Sequence, residues 1–402
     1  MFRTTKLIKP RIEVVDALRG FALLGLCLIH GLEHFDLLVY PETAPEWLQA
    51  LNRVAHGSVF FLFAGKAFAI FSFMFGLSFF IQMDRQAQRG VDFRWRFLWR
   101  LALLGLMGYL HGLLYCGDVL IIFAVLGVLL IPLDKLSSRT LLVLSLVLLA
   151  NLPYLYQLLV VLGDASVDPR PYAVWNLYGE AFRIFSQGSL AEVVSFNAWR
   201  GQLMKWGWYL QEGRIWQILG LFLWGMVAGR SRFFESLEER RGLSRKILAG
   251  ASVAFVVLFS LELNLGSLGL SANAIYLADK LVSSYANLAF TLVLITGFAL
   301  LWGLDAWQRK LGILAPLGRM SLTNYVAQSL IGVVFFYGFG LAMYRHFGHA
   351  LSLIFGIILI SAMIWLSRHW LRRFYFGPLE WAWRAVTFMG LKVPLARMRT
   401  TE

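Results

Sequence analysis

Ten apolar runs, most of about twenty residues, set the terms for what this chain can fold into. They lie at about 14–34, 58–82, 95–115, 118–133, 139–162, 214–230, 245–266, 281–303, 313–338 and 350–371. An α-helix crosses the hydrocarbon core of a bilayer in about 20 residues. Lipid gives backbone N–H and C=O groups no partners, so spanning segments fold as helices or as closed barrels. Runs this long, without strand-like alternation, predict helices. The expected architecture is an all-α, polytopic transmembrane helical bundle of about ten spans. Composition agrees: 59% of the 402 residues are hydrophobic and 15% are charged, which leaves no sizeable soluble domain. The fourth run is short and reads as tilted or broken. The first begins with Asp16 and Arg19 and meets no small-x-small cleavage site, so it reads as a retained span rather than a signal peptide.

The net charge of +14 belongs to the loops. Arg3, Lys6, Lys9 and Arg11 precede the first span, and Arg85, Arg89, Arg94 and Arg96 join the second to the third. Arg230, Arg232, Arg240, Arg241, Arg245 and Lys246 follow the sixth, Arg309 and Lys310 follow the eighth, and Arg368, Arg372, Arg373, Lys392, Arg397 and Arg399 follow the tenth. In a ten-span chain all of these fall on one side. The positive-inside rule makes that side, with both termini, cytoplasmic. The chain is expected to be a multi-pass membrane protein with this orientation. The opposite loops carry Glu33, Asp36, Glu42, Glu46, Asp164, Asp168, Glu180, Glu192 and Glu212. Charge placed to orient helices is no nucleic-acid footprint, so nucleic acid is excluded as a partner. Cys27 and Cys116 make neither a disulfide framework nor a metal site.

The long segment 163–213 divides the chain into an amino-terminal half, 1–162, and a carboxyl-terminal half, 214–402. Trp175, Tyr178, Trp199, Trp206, Trp208 and Tyr209 punctuate it, with Arg170, Arg183 and Arg200 between. It reads as outer interfacial helices that lie on the leaflet or lid a cavity. The two halves show no internal repeat.

Ionisable residues at bilayer depth are costly and face a bundle interior or a wet cavity. In the first span, positions 16, 19, 23, 27, 30 and 34 share a face and read Asp, Arg, Leu, Cys, His, His. Arg19 and His30 are eleven residues apart, roughly 16 Å along a helix. Asp16 and Arg19 belong near the cytosol, His30 and His34 toward the outside. Asp16 with Arg19 also fits a structural ion pair, and His30 a hydrogen bond between helices. Lys66 in the second span calls for an acid or an anion, or snorkels. His111-Gly112-Leu113-Leu114-Tyr115-Cys116-Gly117-Asp118 forms a tight turn between the third and fourth spans, with His111 and Asp118 placed to meet. A histidine oriented by a carboxylate is a candidate general base or a turn cap. His30, Glu33, His34, His111 and Asp118 converge on the outer half. No metal-ligand spacing appears, and no metal is expected.

Lys280, Ser284, Asn287 and Thr291 share a face of the eighth span, and Ser321, Asn324, Tyr325 and Gln328 a face of the ninth. Such groups usually bond one helix to another. Gly225 and Gly229 are a small-residue packing pair. Pro378 starts a further helix in which Glu380 and Arg384 are spaced to pair and Trp381 and Trp383 suit a membrane-surface anchor.

Four stretches resemble the bacterial YeiB-like inner-membrane proteins. They are Asp16-Ala17-Leu18-Arg19-Gly20-Phe21-Ala22-Leu23, the His111-Gly112 to Gly117-Asp118 turn, Gly318-Arg319-Met320-Ser321-Leu322-Thr323-Asn324-Tyr325 with Gln328-Ser329, and Phe376-Gly377-Pro378-Leu379-Glu380-Trp381 with Trp383-Arg384. The carboxyl half resembles that family's domain of unknown function. The first span is also similar to the transmembrane acyltransferases, which include polysaccharide O-acyltransferases and heparan-α-glucosaminide N-acetyltransferase. The polysaccharide enzymes carry Arg, ten residues, His, and use the histidine as base; the resemblance gives that role to His30. Other YeiB-like members have asparagine there, in which case His30 need not be the family's base and His111 with Asp118 becomes the stronger candidate.

The expected function is an integral membrane acyltransferase that moves an acyl group from cytosolic acyl-CoA to an envelope glycan or lipid. Arg19, with Asp16 and Lys66 nearby, would hold the coenzyme A thioester. His30 or the His111–Asp118 pair would act on the acceptor. Glu33, His34, Asn324, Tyr325 and Gln328 would line the cavity. Membrane lipids are further partners, and a homo-oligomer is open. The alternative is a transporter or flippase for a small anionic or lipidic substrate, with Lys66, Arg19, His30 and Asp118 along its path.

Overall fold

The computed structural model describes residues 11–41, 44–169, 175–388 and 393–396. Arg3, Lys6, Lys9, Glu42, Arg170, Lys392, Arg397 and Arg399 lie outside them. The helices, in chain order, are α1 (Glu13–Leu32), α2 (Glu46–Phe63), α3 (Lys66–Ala87), α4 (Arg94–Gly112), α5 (Leu120–Val128), α6 (Leu130–Leu133), α7 (Ser138–Leu149) and α8 (Leu152–Gly163). Three helices, α9 (Asn176–Gln187), α10 (Leu190–Ala198) and α11 (Arg200–Gln211), occupy the long middle segment. Then come α12 (Arg214–Arg230), α13 (Arg241–Asn264), α14 (Ala272–Trp302), α15 (Asp305–Gly312), α16 (Ala315–Arg319), α17 (Ser321–Phe336), α18 (His349–Arg373) and α19 (Pro378–Thr387). Among the described residues the only pairing of extended backbone is an isolated bridge, Phe374 to Ala396.

The chain is an all-α polytopic membrane protein. Each expected span is a helix or a pair of helices end to end. Six segments are long and apolar enough to cross a membrane: 13–32, 46–87, 138–163, 241–267, 272–302 and 349–373. The second breaks at Gly65, which takes a left-handed φ of 75° between α2 and α3. The fourth expected run, 118–133, which is not among these six, breaks between α5 and α6, where the ring of Pro132 would collide with the carbonyl of a continued helix at Val128.

α1 is the axis of the bundle. It is buried along most of its length and contacts α2, α3, α16, α17 and α18. Its crossing with α16 is backbone on backbone. A Cβ on Gly20 would overlap the Leu314 carbonyl, and one on Gly318 the Asp16 carbonyl. No flexible side chain stands there to give way. Gly318→Val is therefore expected to cost about 3 kcal/mol of stability, the upper part of the range for overpacking. Gly297→Val, at a glycine with nothing within 4 Å, is the control. Thermal unfolding of the detergent-solubilised variants, followed by size-exclusion chromatography, checks the difference. Gly225 and Gly229 on α12 fit against the Phe73 carbonyl and the Phe80 ring of α3, which is the packing expected of them. That contact also joins the two halves of the chain into one bundle.

The arginine-rich loops gather at one end. At the other, α9 to α11 fold over the bundle as a lid. Phe185 of α9 stacks on Tyr337 at 5.0 Å, and Asn197 of α10 donates to the Leu113 carbonyl at 3.1 Å.

Candidate functional site

Two cavities open along α1. The one toward the arginine-rich end has a volume of about 320 Å³ and is lined by Arg11, Arg19, Arg85, Arg100, Arg319 and Arg384, against two carboxylates, Asp16 and Glu380. Asp16 accepts from Arg19 at 3.0 Å and lies 3.7 Å from Arg11. The expected ion pair exists, and Arg19 turns a second nitrogen to Ser78 at 2.9 Å.

Glu380 does not pair with Arg384 as its spacing predicted. Its carboxylate caps the start of α17, accepting from the backbone N–H of Leu322 at 2.7 Å and of Thr323 at 3.1 Å and from the Thr323 hydroxyl at 2.6 Å. A carboxylate at a helix N-terminus meets the positive end of the macrodipole. Burial pushes the Glu380 carboxyl above its ordinary range, against the pull of those hydrogen bonds. Arg384 instead lies over Phe376, 4.6 Å from the ring centre. Arg100 lies 4.0 Å over Trp383, whose indole donates to the Arg100 carbonyl at 2.9 Å. α19 thus walls the cavity, where its two tryptophans had read as a surface anchor. Six guanidiniums line this cavity against two carboxylates, which gives it an excess of positive charge.

The second cavity, of about 440 Å³, lies toward the lid. Its lining includes His30, Glu33, Asp36, Tyr115, Gly117, Tyr178, Lys205, Trp208, Tyr209 and Arg214. Leu26, Phe71, Val119, Phe123 and Tyr325 line both cavities, so the two meet at an apolar waist. The Tyr325 hydroxyl is fixed there by the Val119 N–H at 3.1 Å.

The chain reaches this cavity through an unusual turn. His34, Phe35, Asp36 and Leu38 all have left-handed backbone, with φ of 48°, 56°, 71° and 53°. Such residues cost roughly 1–2 kcal/mol each, and strain of this kind concentrates at functional sites. The turn is pinned on three sides. Phe35 is fully buried against Gly332 of α17, Tyr337 donates to the Phe35 carbonyl at 3.1 Å, and His34 bonds Ser352 at 2.8 Å. Asp36 is thereby brought against Gly117, where any Cβ would overlap its carboxylate.

The buried histidines are told apart by their partners. His34 uses one ring nitrogen on Ser352 and the other on the Val39 carbonyl, and it stacks on Phe336 at 4.6 Å. His111 meets Asp118, as the turn predicted, at 2.8 Å, and its other nitrogen meets Ser329 at 2.6 Å. Asp118 and Ser329 are fully buried, and neither they nor His111 lines either cavity. His30 lines the outer cavity with its Nδ1 unpartnered. The Tyr115 ring stands between His30 and His111, 5.4 and 5.7 Å from them.

The other expected residues divide. Glu33 and Tyr325 line the outer cavity. Asn324 bonds the Leu317 carbonyl at 3.2 Å and Ser367 at 2.9 Å, which is helix-to-helix bonding. Gln328 is fully buried, with both amide atoms unpartnered, away from both cavities. Lys66 also lies apart from Arg19. Its ammonium sits 5.6 Å from the Phe290 ring centre and lines neither cavity. Among the described residues no three His, Cys, Asp or Glu side chains are placed to hold a metal ion.

Sequence reasoning missed Arg100, Arg384, Lys205 and Arg214 as cavity residues. Arg100 follows Arg96 by four into an apolar run, a signal that was there to read. Lys205 and Arg214 gave none, because only the packing of the lid and of α12 brings them to the cavity that His30 lines.

Comparison with known proteins places this arrangement in a family. Residues 228–390 match the family described as "Protein of unknown function (DUF418)". "Uncharacterized protein YeiB" of Escherichia coli (strain K12) is 30% identical over 407 residues, covering 93% of this chain and 95% of its own. The chain belongs to the YeiB-like family. "Uncharacterized protein YxaH" of Bacillus subtilis (strain 168) is 27% identical over 416 residues, covering 97% of each. The likeness to these YeiB-like proteins covers 93–97% of the chain.

Proposed function

We propose that this protein is a bacterial inner-membrane acyltransferase that takes an acyl group from cytosolic acyl-CoA and passes it to a hydroxyl or amine of an envelope glycan or lipid. One observation carries the reading: the buried histidine whose Nδ1 is free faces a cavity that meets, through a short apolar waist, a second cavity walled by six arginines. With the arginine-rich loops and both termini in the cytoplasm, that second cavity is the cytosolic one. Arg19, Arg100 and Arg384 suit the phosphates of a coenzyme A ester. The thioester supplies an activated acyl group. His30 then takes the proton from the acceptor oxygen or nitrogen as it attacks, and returns it to the departing sulfur. The waist keeps water from the ester, and the lid helices Asn176–Gln187 and Arg200–Gln211 form the acceptor's side.

A transporter of a small anion is the second reading, since two cavities joined at a constriction also suit alternating access. Calorimetry on the purified, detergent-solubilised protein separates them. Saturable binding of CoA and acetyl-CoA is expected, weakened about ten- to a hundredfold by Arg19→Ala, the loss of a charge-assisted contact, and kept in His30→Ala. Absence of binding by any CoA form at millimolar ligand overturns the acyltransferase reading and leaves the transporter.

A further inference from the structure

We infer that the outer cavity recognises an anionic group on the acceptor, a phosphate or a carboxylate, through Lys205 and Arg214. The inference rests on that cavity being the acceptor's. Lys205 is only 5% exposed, lines the cavity, and its Nζ has no hydrogen-bond partner among the described residues. A buried, unpaired ammonium is one of the costliest groups a fold can hold, and it persists where an opposite charge arrives. Arg214, at the start of α12, lines the same cavity. It donates to Gln217 at 2.9 Å and lies 5.7 Å from the Trp208 ring centre.

Asp118 acts on Lys205 and Glu212 on Arg214 through space, but Asp118 is bonded to His111 and Glu212 to Lys280, and among the described residues neither forms an ion pair with these two cations. Glu33 and Asp36 line the same cavity, but among the described residues no ion pair joins either to Lys205 or Arg214. The cations come from the lid and α12, the carboxylates from the left-handed turn after α1. A ligand that enters between them meets a compact point charge and a planar guanidinium on one side, a pairing suited to phosphate or carboxylate oxygens.

Calorimetry with glycerol 1-phosphate, against glycerol, tests this without any thioester. The wild-type protein is expected to bind the phosphate at two classes of site and glycerol at neither. One class should weaken at least tenfold in Lys205→Met, recover in Lys205→Arg, and be unmoved by Arg19→Gln; the other should respond to Arg19→Gln alone. Phosphate binding unchanged by Lys205→Met, or glycerol binding as tightly as its phosphate, overturns the inference. A Lys205-dependent site in a protein that binds no CoA form supports it and removes the acyltransferase reading alone. Nanodiscs of phosphatidylglycerol against phosphatidylcholine then assign the source. Competition at the Lys205 site by the first only points to a lipid headgroup, and competition by neither to a glycan-borne or soluble anion. Both results leave the anionic site standing.

Discussion

His30→Ala is expected to abolish acyl transfer while leaving the binding of coenzyme A esters within about twofold of wild type. A positioned general base is worth about 10²–10⁴ in rate, and His30 is a buried histidine that lines the outer cavity and whose Nδ1 has no hydrogen-bond partner among the described residues. The arginines that would hold the donor line the other chamber, so docking and chemistry should come apart cleanly in this variant. Single-turnover transfer from radiolabelled acetyl-CoA, with equilibrium binding measured on the same preparation, reads both. A variant that keeps more than a tenth of the wild-type rate rules out His30 as the base.

Asp118→Ala is expected to fail in a different way. It removes one partner from a network in which His111 is held between Asp118 at 2.8 Å and Ser329 at 2.6 Å, with all three side chains buried. Breaking a buried pair on one side costs about 3–5 kcal/mol, because the remaining group is left without compensation. Asp118 also accepts the Ile121 N–H at 3.2 Å, and Ser329 bonds the Tyr325 carbonyl at 3.0 Å. The loss therefore reaches the waist. Both the melting temperature and the donor affinity should fall, which differs from the clean loss of rate in His30→Ala. Thermal unfolding in detergent decides it: a melting temperature within a degree or two of wild type would show that His111 does not depend on Asp118.

The span pattern was legible because burial in lipid writes itself as run length. Every apolar run has its helix, and the break at Pro132 follows from ring sterics. The Asp16–Arg19 pair and the meeting of His111 with Asp118 were legible too, since helical period and a short turn fix both. What spacing does not carry is which side of a buried histidine is already occupied. His111 looked as promising as His30, and His34 read as a cavity residue, until Ser329 and Ser352, more than 200 residues away in sequence, were seen to take their nitrogens. The same holds for Lys66, whose depth was clear and whose direction was not. Glu380 was misread because a local i,i+4 partner competes with a distant helix end, and three donors outbid one cation.

The waist has a consequence for the membrane around the protein. Two wet chambers meeting end to end would short-circuit the ion gradients on which a cell depends, since each elementary charge crossing 100 mV dissipates about 2.3 kcal/mol. Leu26, Phe71, Val119 and Phe123, with the tethered Tyr325, leave a hydrated ion no oxygen cage in which to shed its water. A sodium ion would meet a single hydroxyl there, that of Tyr325, already bonded to the Val119 N–H. The constriction would act as an electrical insulator between the two chambers.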